Sequence, residues 1–153
     1  PHAMISNELK ATIQGAYSRF REAKSLKPRY GQRLMIAEVA KVLGDIATDE
    51  EGRRAGEPAV VAVEAGTGTG KTVAYSLAAI PAAKAAGKRL VIATATVALQ
   101  EQIVFNDLPD LMRNSGLNFC FALAKGRCRY PRPAKPAVPL PEGPAQSVTA
   151  PLF

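Results

Sequence analysis

Tryptophan is absent from the 153 residues, histidine occurs once and cysteine twice. Two cysteines are too few to staple a small secreted scaffold with disulfides. The lone histidine, His2, belongs to a Pro1-His2-Ala3 leader before Met4 that reads as an expression scar. A histidine-based triad and a zinc-ligand set are therefore both out of reach, and no paired-carboxylate site is evident. No apolar run approaches the ~18 residues of a membrane-spanning helix, so no membrane partner is expected. The start also lacks the basic-then-apolar layout of a secretion signal, which implies a cytoplasmic protein. Hydrophobic residues make up 47% and charged residues 22% of the chain, a composition that excludes wholesale disorder.

What is present is an uneven charge, +7 in sum. Residues 1–30 carry six Lys or Arg against two acids, whereas residues 45–57 carry five acids against two Arg. Residues 125–135 hold Lys125, Arg127, Arg129, Arg132 and Lys135 with no acid, beside Tyr130. Any one such stretch can be a solvated surface, but an acid-free run next to an aromatic ring also suits a phosphate backbone.

The hydrophobic periodicity predicts a helix over residues 6–24, capped by Ser6, with Leu9, Ile13, Ala16, Tyr17, Phe20 and Ala23 on one face. Lys27-Pro28 breaks it, because the residue before a proline is pushed out of the helical region. A second helix is predicted from Tyr30 to Leu43, stopped by Gly44, and an acidic, Gly-rich surface loop from 45 to 58. Ala59 to Glu64 and Arg89 to Thr94 are short β-branched runs that suit strands buried on both faces, and Leu117 to Leu123 is a third strand candidate. Between them, Lys71 to Ala86 and Val97 to Asn106 read as helices, the first kinked at Pro81. Strand, helix, strand, helix, strand at this spacing predicts an α/β fold with a parallel sheet. Seven of the 12 prolines lie in residues 131–153, which read as a Pro-rich linker or tail. Three strands are few for a doubly wound domain, so the chain reads as the front of something longer.

Ala65-Gly66-Thr67-Gly68-Thr69-Gly70-Lys71-Thr72 matches the Walker A pattern, with Ala at the first Gly position. Backbone amides freed of side-chain bulk can curl around a β-phosphate, and a helix starting at Lys71 points its positive end at the same anion. Lys71 can reach the β- and γ-phosphates, and the Thr72 hydroxyl can sit on Mg²⁺. ATP with Mg²⁺ is the implied ligand, Lys71 and Thr72 being the catalytic candidates. A phosphate loop does not specify the reaction. After Thr72 no run of four apolar residues ends in Asp-Glu, the acidic pair that would hold Mg²⁺ and position water. The chain is therefore expected to bind nucleotide better than it turns it over.

The residues around the loop carry a resemblance. Glu64 to Thr72 is similar to motif I of superfamily 2 helicases in the form used by the DinG and XPD iron–sulfur helicases. Lys27-Pro28-Arg29-Tyr30-Gly31-Gln32-Arg33-Leu34-Met35 resembles the adenine-reading Q-motif of that family, and Thr94 to Ile103 resembles its motif Ia. Phe121 to Arg127 resembles the approach to the iron–sulfur insertion. The resemblance spans residues 27–130 and implies a partial RecA-like P-loop NTPase domain, the start of a first motor domain. It implies that Gln32, assisted by Arg29, reads adenine; a side-chain amide can both donate and accept there. Thr94, Thr96 and Gln100 would meet single-stranded DNA, with Lys125 and Arg127 in the basic run; for Thr96 plain helix capping is the competing role. A second motor domain would be the partner across the cleft, and travel would be 5′→3′.

In the family, a ligating Cys follows a Lys-Gly-Arg-x-Arg-Tyr segment. Here the chain reads Lys125-Gly126-Arg127-Cys128-Arg129-Tyr130-Pro131, so Cys128 falls earlier and is a candidate iron–sulfur ligand only within the full-length parent. One thiolate cannot hold a cluster that needs four. Cys120, between Phe119 and Phe121, reads as a small buried hydrophobe. The domain reading is thus scar 1–3, helices and acidic loop 4–58, motor-domain start 59–130, and Pro-rich tail 131–153. Two other readings share the loop: a phosphoryl-transfer enzyme with a small-molecule acceptor, and a non-catalytic nucleotide-gated adaptor whose basic run recruits a partner.

Overall fold

The computed structural model describes residues 5–125. The chain divides after Phe119 into two units, the second beginning at Cys120. In the first unit five α-helices follow one another: α1 (Asn7–Ala23), α2 (Tyr30–Gly44), α3 (Lys71–Ala85), α4 (Val97–Gln102) and α5 (Leu108–Ser115), with a π-helical turn, Ile103–Asp107, joining the last two. In the second unit the described residues, 120–125, have no regular secondary structure.

Local chemistry accounts for the helix ends. Ser6 accepts a hydrogen bond at its Oγ from the Leu9 amide, 3.1 Å away, which satisfies one of the free donors of α1. Pro28 keeps the chain out of the helical region before α2. The π turn traces to Pro109. That residue has no N–H to offer the carbonyl of Phe105, and the ladder widens so that the Leu108 amide reaches Ile103.

Helix α3 is the centre of the unit. Ala74 and every residue from Ser76 to Ala82 are buried, because α1 and α2 both pack against it. The small side chains of α3 permit that close approach. Phe20 and Ala16 of α1 and Met35, Ile36 and Ala40 of α2 complete the core. Helix α5 closes on α1 through Leu111, which is fully buried, through Arg19 Nε donating to the Ser115 carbonyl at 2.9 Å, and through the Lys24–Asp110 ion pair. Gly116 follows in the left-handed region (φ +72°), where a Cβ would stand 2.7 Å from Arg19 Nε.

The expected parallel sheet is not there. Among the described residues no strand forms, and the single ladder contact is an isolated antiparallel bridge, Thr48 to Arg54, inside the acidic loop. Residues 59–64 and 89–94 have neither ladder nor helix, and Val60 and Val91 are 83% and 85% exposed. A β-branched run favours extended backbone, but a strand exists only when a neighbour takes its amides and carbonyls. Here the apolar face of α3 is buried by other helices, so no sheet is needed to cover it. The α/β expectation is thus replaced, over these residues, by a helical unit. Cys120, expected to be buried within a strand, is exposed and lies in an irregular segment. The acidic loop is as expected a surface segment, tied by Arg53 to Asp49 and Glu51 at 3.1 and 3.0 Å. No helix among the described residues is long and apolar enough to cross a membrane.

Two stability measurements check this packing. Leu77→Ala, at the fully buried centre of α3, is expected to cost about 2–5 kcal/mol in urea unfolding. Lys24→Ala, at the half-exposed ion pair, should cost less than about 1 kcal/mol. Asp107 gives the pH dependence. Burial pushes its carboxyl above the ordinary value and Asp110 adds to the rise, while a hydrogen bond from Gln102 and the Lys24 charge oppose it. The folded state therefore holds the Asp107 proton more tightly than the unfolded chain, and stability falls as pH rises through the carboxylate range. Asp107→Asn is expected to raise the melting temperature at neutral pH, with the gain shrinking on acidification.

Candidate nucleotide-binding site

Gly66 to Gly70 form the turn that delivers the chain into α3. Gly68 and Gly70 both sit at φ +75°, a left-handed conformation that side chains rarely adopt. Gly70 is the residue immediately before α3, and a Cβ there would lie 2.6 Å from Gln32 Nε2. The loop needs glycine at this position for its backbone conformation; the Gln32 side chain then uses the space that the missing Cβ leaves.

The loop is approached by two side chains one helical turn apart. Arg29, which precedes α2 in extended conformation (φ −112°, ψ 124°), donates from Nη1 to the Gly68 carbonyl at 2.7 Å. Gln32, in the first turn, donates from Nε2 to the Gly70 carbonyl at 3.4 Å. Both loop glycines are therefore held from the same helix end. Lys71 folds back on its own loop, its ammonium donating to the carbonyls of Ala65 at 2.7 Å and Gly66 at 3.0 Å. Thr69 donates its hydroxyl to the same Gly66 carbonyl at 2.9 Å. Thr67 is exposed and Thr72 half-buried in the first turn of α3.

Beside this cluster lies a cavity of about 520 Å³, within the range of small-ligand sites. Arg29, just before α2, and Gln32, Met35 and Glu38 within it line this cavity together with Val61, Val63 and Glu64. Arg29 and Gln32 are expected here from the sequence, whereas Glu38 is not. No spacing signal singled it out, since at ~100° per residue Glu38 lies about half a turn around from Arg29. The loop carbonyls are likewise unexpected partners of Lys71. Only the helix half of the expected strand–loop–helix setting is formed.

The remaining predicted residues lie elsewhere. Thr96 caps α4, its Oγ1 accepting from the Leu99 amide at 3.2 Å, and Thr94 donates its hydroxyl to the Thr96 carbonyl at 3.1 Å. The Thr96 hydroxyl thus performs the capping role. Gln100 is half-buried in α4, and Lys125 belongs to the second unit. Arg127 and Cys128 lie outside the described residues. Among the described residues no three His, Cys, Asp or Glu side chains gather as a metal site.

Comparison with known proteins bears on the same segment. Residues 46–131 match the family model of the DEAD/DEAH box helicases. The chain is 40% identical over 128 residues to the ATP-dependent DNA helicase DinG of Photobacterium profundum, covering 83% of this chain and 18% of that protein. It is 43% identical over 130 residues to DinG of Escherichia coli K12, covering 84% and 17%, and 41% identical over 127 residues to DinG of Salmonella typhimurium, covering 82% and 16%. The chain spans less than a fifth of the length of these relatives. The resemblance carried by residues 27–130 is borne out. With more than half of its residues matched by the family model, the chain belongs to the DEAD/DEAH box helicases.

Proposed function

We propose that this chain is the ATP-binding front of a DinG-like, ATP-dependent DNA helicase. The observation that carries the reading is the grip of α2 on the loop. Arg29 and Gln32 hold the Gly68 and Gly70 carbonyls at the edge of a cavity of about 520 Å³. The Gln32 amide also has a carbonyl face that can accept from an adenine amino group. An adenine against Gln32 and a triphosphate against the amides from Gly66 to Thr72 would engage both ends of one ligand. The first amides of α3 have no carbonyl one turn earlier to bond, so they suit an anion.

In this reading Lys71 exchanges the Ala65 and Gly66 carbonyls for phosphate oxygens. Ala65, Thr67 and Thr69 shape the loop, and the Thr72 hydroxyl would be the chain's ligand to Mg²⁺. Bound Mg²⁺ neutralises phosphate charge. Thr94, Thr96 and Gln100, with Lys125 and Arg127, are proposed to contact single-stranded DNA; the travel is 5′→3′, and a second motor domain completes the cleft. The protein works in the cytoplasm.

Calorimetric titration with Mg–ATP tests the loop. Lys71→Ala should weaken binding by roughly 10- to 150-fold, the worth of about 1.5–3 kcal/mol in charge-assisted bonds, with the melting curve retained. Gln32→Ala should weaken ATP more than GTP. Unchanged affinity in both variants would remove the proposal. A second measurement follows from the missing Asp-Glu after Thr72: the chain alone should show no DNA-stimulated ATP hydrolysis, and robust turnover would contradict that expectation.

A further inference from the structure

Arg29, the residue before α2, is exposed and forms no ion pair among the described residues, yet its Nη1 donates to the Gly68 carbonyl at 2.7 Å. That carbonyl has no other donor among the described residues. Gly70, by comparison, accepts from the Ala74 amide as well as from Gln32, and Gly66 accepts from both Lys71 and Thr69. Packing does not confine Gly68. It sits at φ +75°, and apart from its chain neighbours nothing lies within 4 Å of where its Cβ would stand. A glycine so placed leaves the plane of the following peptide little hindered from turning.

The peptide that Arg29 holds joins Gly68 to Thr69. No cis peptide bond occurs among the described residues, and in a trans peptide the C=O and N–H point in opposite directions. A Gly68 carbonyl turned toward Arg29 therefore turns the Thr69 amide away from it. That amide has no acceptor among the described residues, whereas the Thr69 hydroxyl is engaged on the Gly66 carbonyl at 2.9 Å. Thr69 thus offers a ligand its backbone donor, and the direction of that donor is set from the other side of the peptide by a guanidinium.

We propose that Arg29 is a positioning residue for the phosphate end of the nucleotide and not a reader of its base: by holding the Gly68 carbonyl it aims the Thr69 amide at a phosphate oxygen. The proposal rests on the reading of the glycine loop as a triphosphate site. It differs from a role beside Gln32 at adenine in two ways. The contribution of Arg29 is blind to the base, and a polyphosphate without any base feels it in full.

The test uses the whole chain and three probes with magnesium: ATP, GTP and inorganic tripolyphosphate. Arg29→Ala is expected to weaken all three by the same factor, roughly tenfold, at unchanged melting temperature, and Arg29→Lys to recover most of the loss because an ammonium can also donate to the carbonyl. Loss of a cation would by itself be blind to the base, so the Thr69 amide decides. In a ¹⁵N-labelled unsubstituted chain its resonance should shift, and its exchange with solvent should slow, as tripolyphosphate is added. In Arg29→Ala at saturating tripolyphosphate that protection should be lost while the Lys71 amide keeps its own; a lost charge alone would leave both. Should Arg29→Ala unfold the chain, the Thr69 amide of the unsubstituted chain decides. A Thr69 amide indifferent to tripolyphosphate, protection that survives Arg29→Ala at saturation, or a loss confined to ATP would overturn the proposal. Each of these leaves the loop reading standing where Lys71→Ala still weakens Mg–ATP. An unsubstituted chain that binds none of the three probes removes the loop reading, and this proposal with it.

Discussion

An α-helix that is apolar all round has to be enclosed, and α3 is such a helix. Its buried run from Ser76 to Ala82 leaves no face for water, so α1 and α2 lie against it. Its first residue is Lys71, the single cation of the loop, and the residue before it is Gly70. Enclosing α3 therefore fixes the exit of the loop and brings the N-terminal turn of α2 to the same place. The approach is close enough that Gln32 Nε2 occupies the space a Cβ at Gly70 would take. Packing of the core and placement of the loop are one constraint.

A loop with several left-handed or unpaired peptide units exposes carbonyls as well as amides. The carbonyls of Ala65, Gly66, Gly68 and Gly70 all have donors, supplied by Lys71, Thr69, Arg29 and Gln32. The acceptors are thus covered by cationic or polar side chains. Amides at the start of a helix, by contrast, have no intrahelical partner. The electrostatic result is a rim that favours an anion over a cation. The Lys71 ammonium rests on two neutral carbonyls, and a charged acceptor would make a stronger bond with it than either.

Local signals made the helices legible. Ser6 as a cap, Pro28 as a break and Gly44 as a stop each act within one turn, and the ends of α1 and α2 follow them closely. The strands were not legible, because pairing is a property of two segments. Val60 and Val91 satisfy every local criterion for a buried strand and are among the most exposed apolar residues described. The π turn went unforeseen although its cause, Pro109, is plain in the sequence. Losing one amide can break, kink or widen a helix, and the burial of Ile103, Leu108 and Leu111 favours continuation. At the site, glycines and Lys71 were readable from spacing alone. Gln32 was not: a glutamine on a helix carries no mark of its partner, and its selection rested on resemblance.

The place of Arg29 shows why the α2 end, rather than the loop by itself, sets the geometry. A residue just before a helix normally caps it with a short oxygen-bearing side chain, and arginine cannot do so. No side-chain cap bond forms at this end. The extended backbone at Arg29 instead carries a long guanidinium outward to Gly68, while Gln32 reaches Gly70 from within the helix. Two anchors of different length, three residues apart, hold two carbonyls two residues apart. They add two bonds from α2 to those that Lys71, Thr69 and the Ala74 amide already make to loop carbonyls. Helix α2 thereby forgoes the roughly 1 kcal/mol of a good cap and gains a two-point hold on the glycine loop, at the edge of the cavity of about 520 Å³.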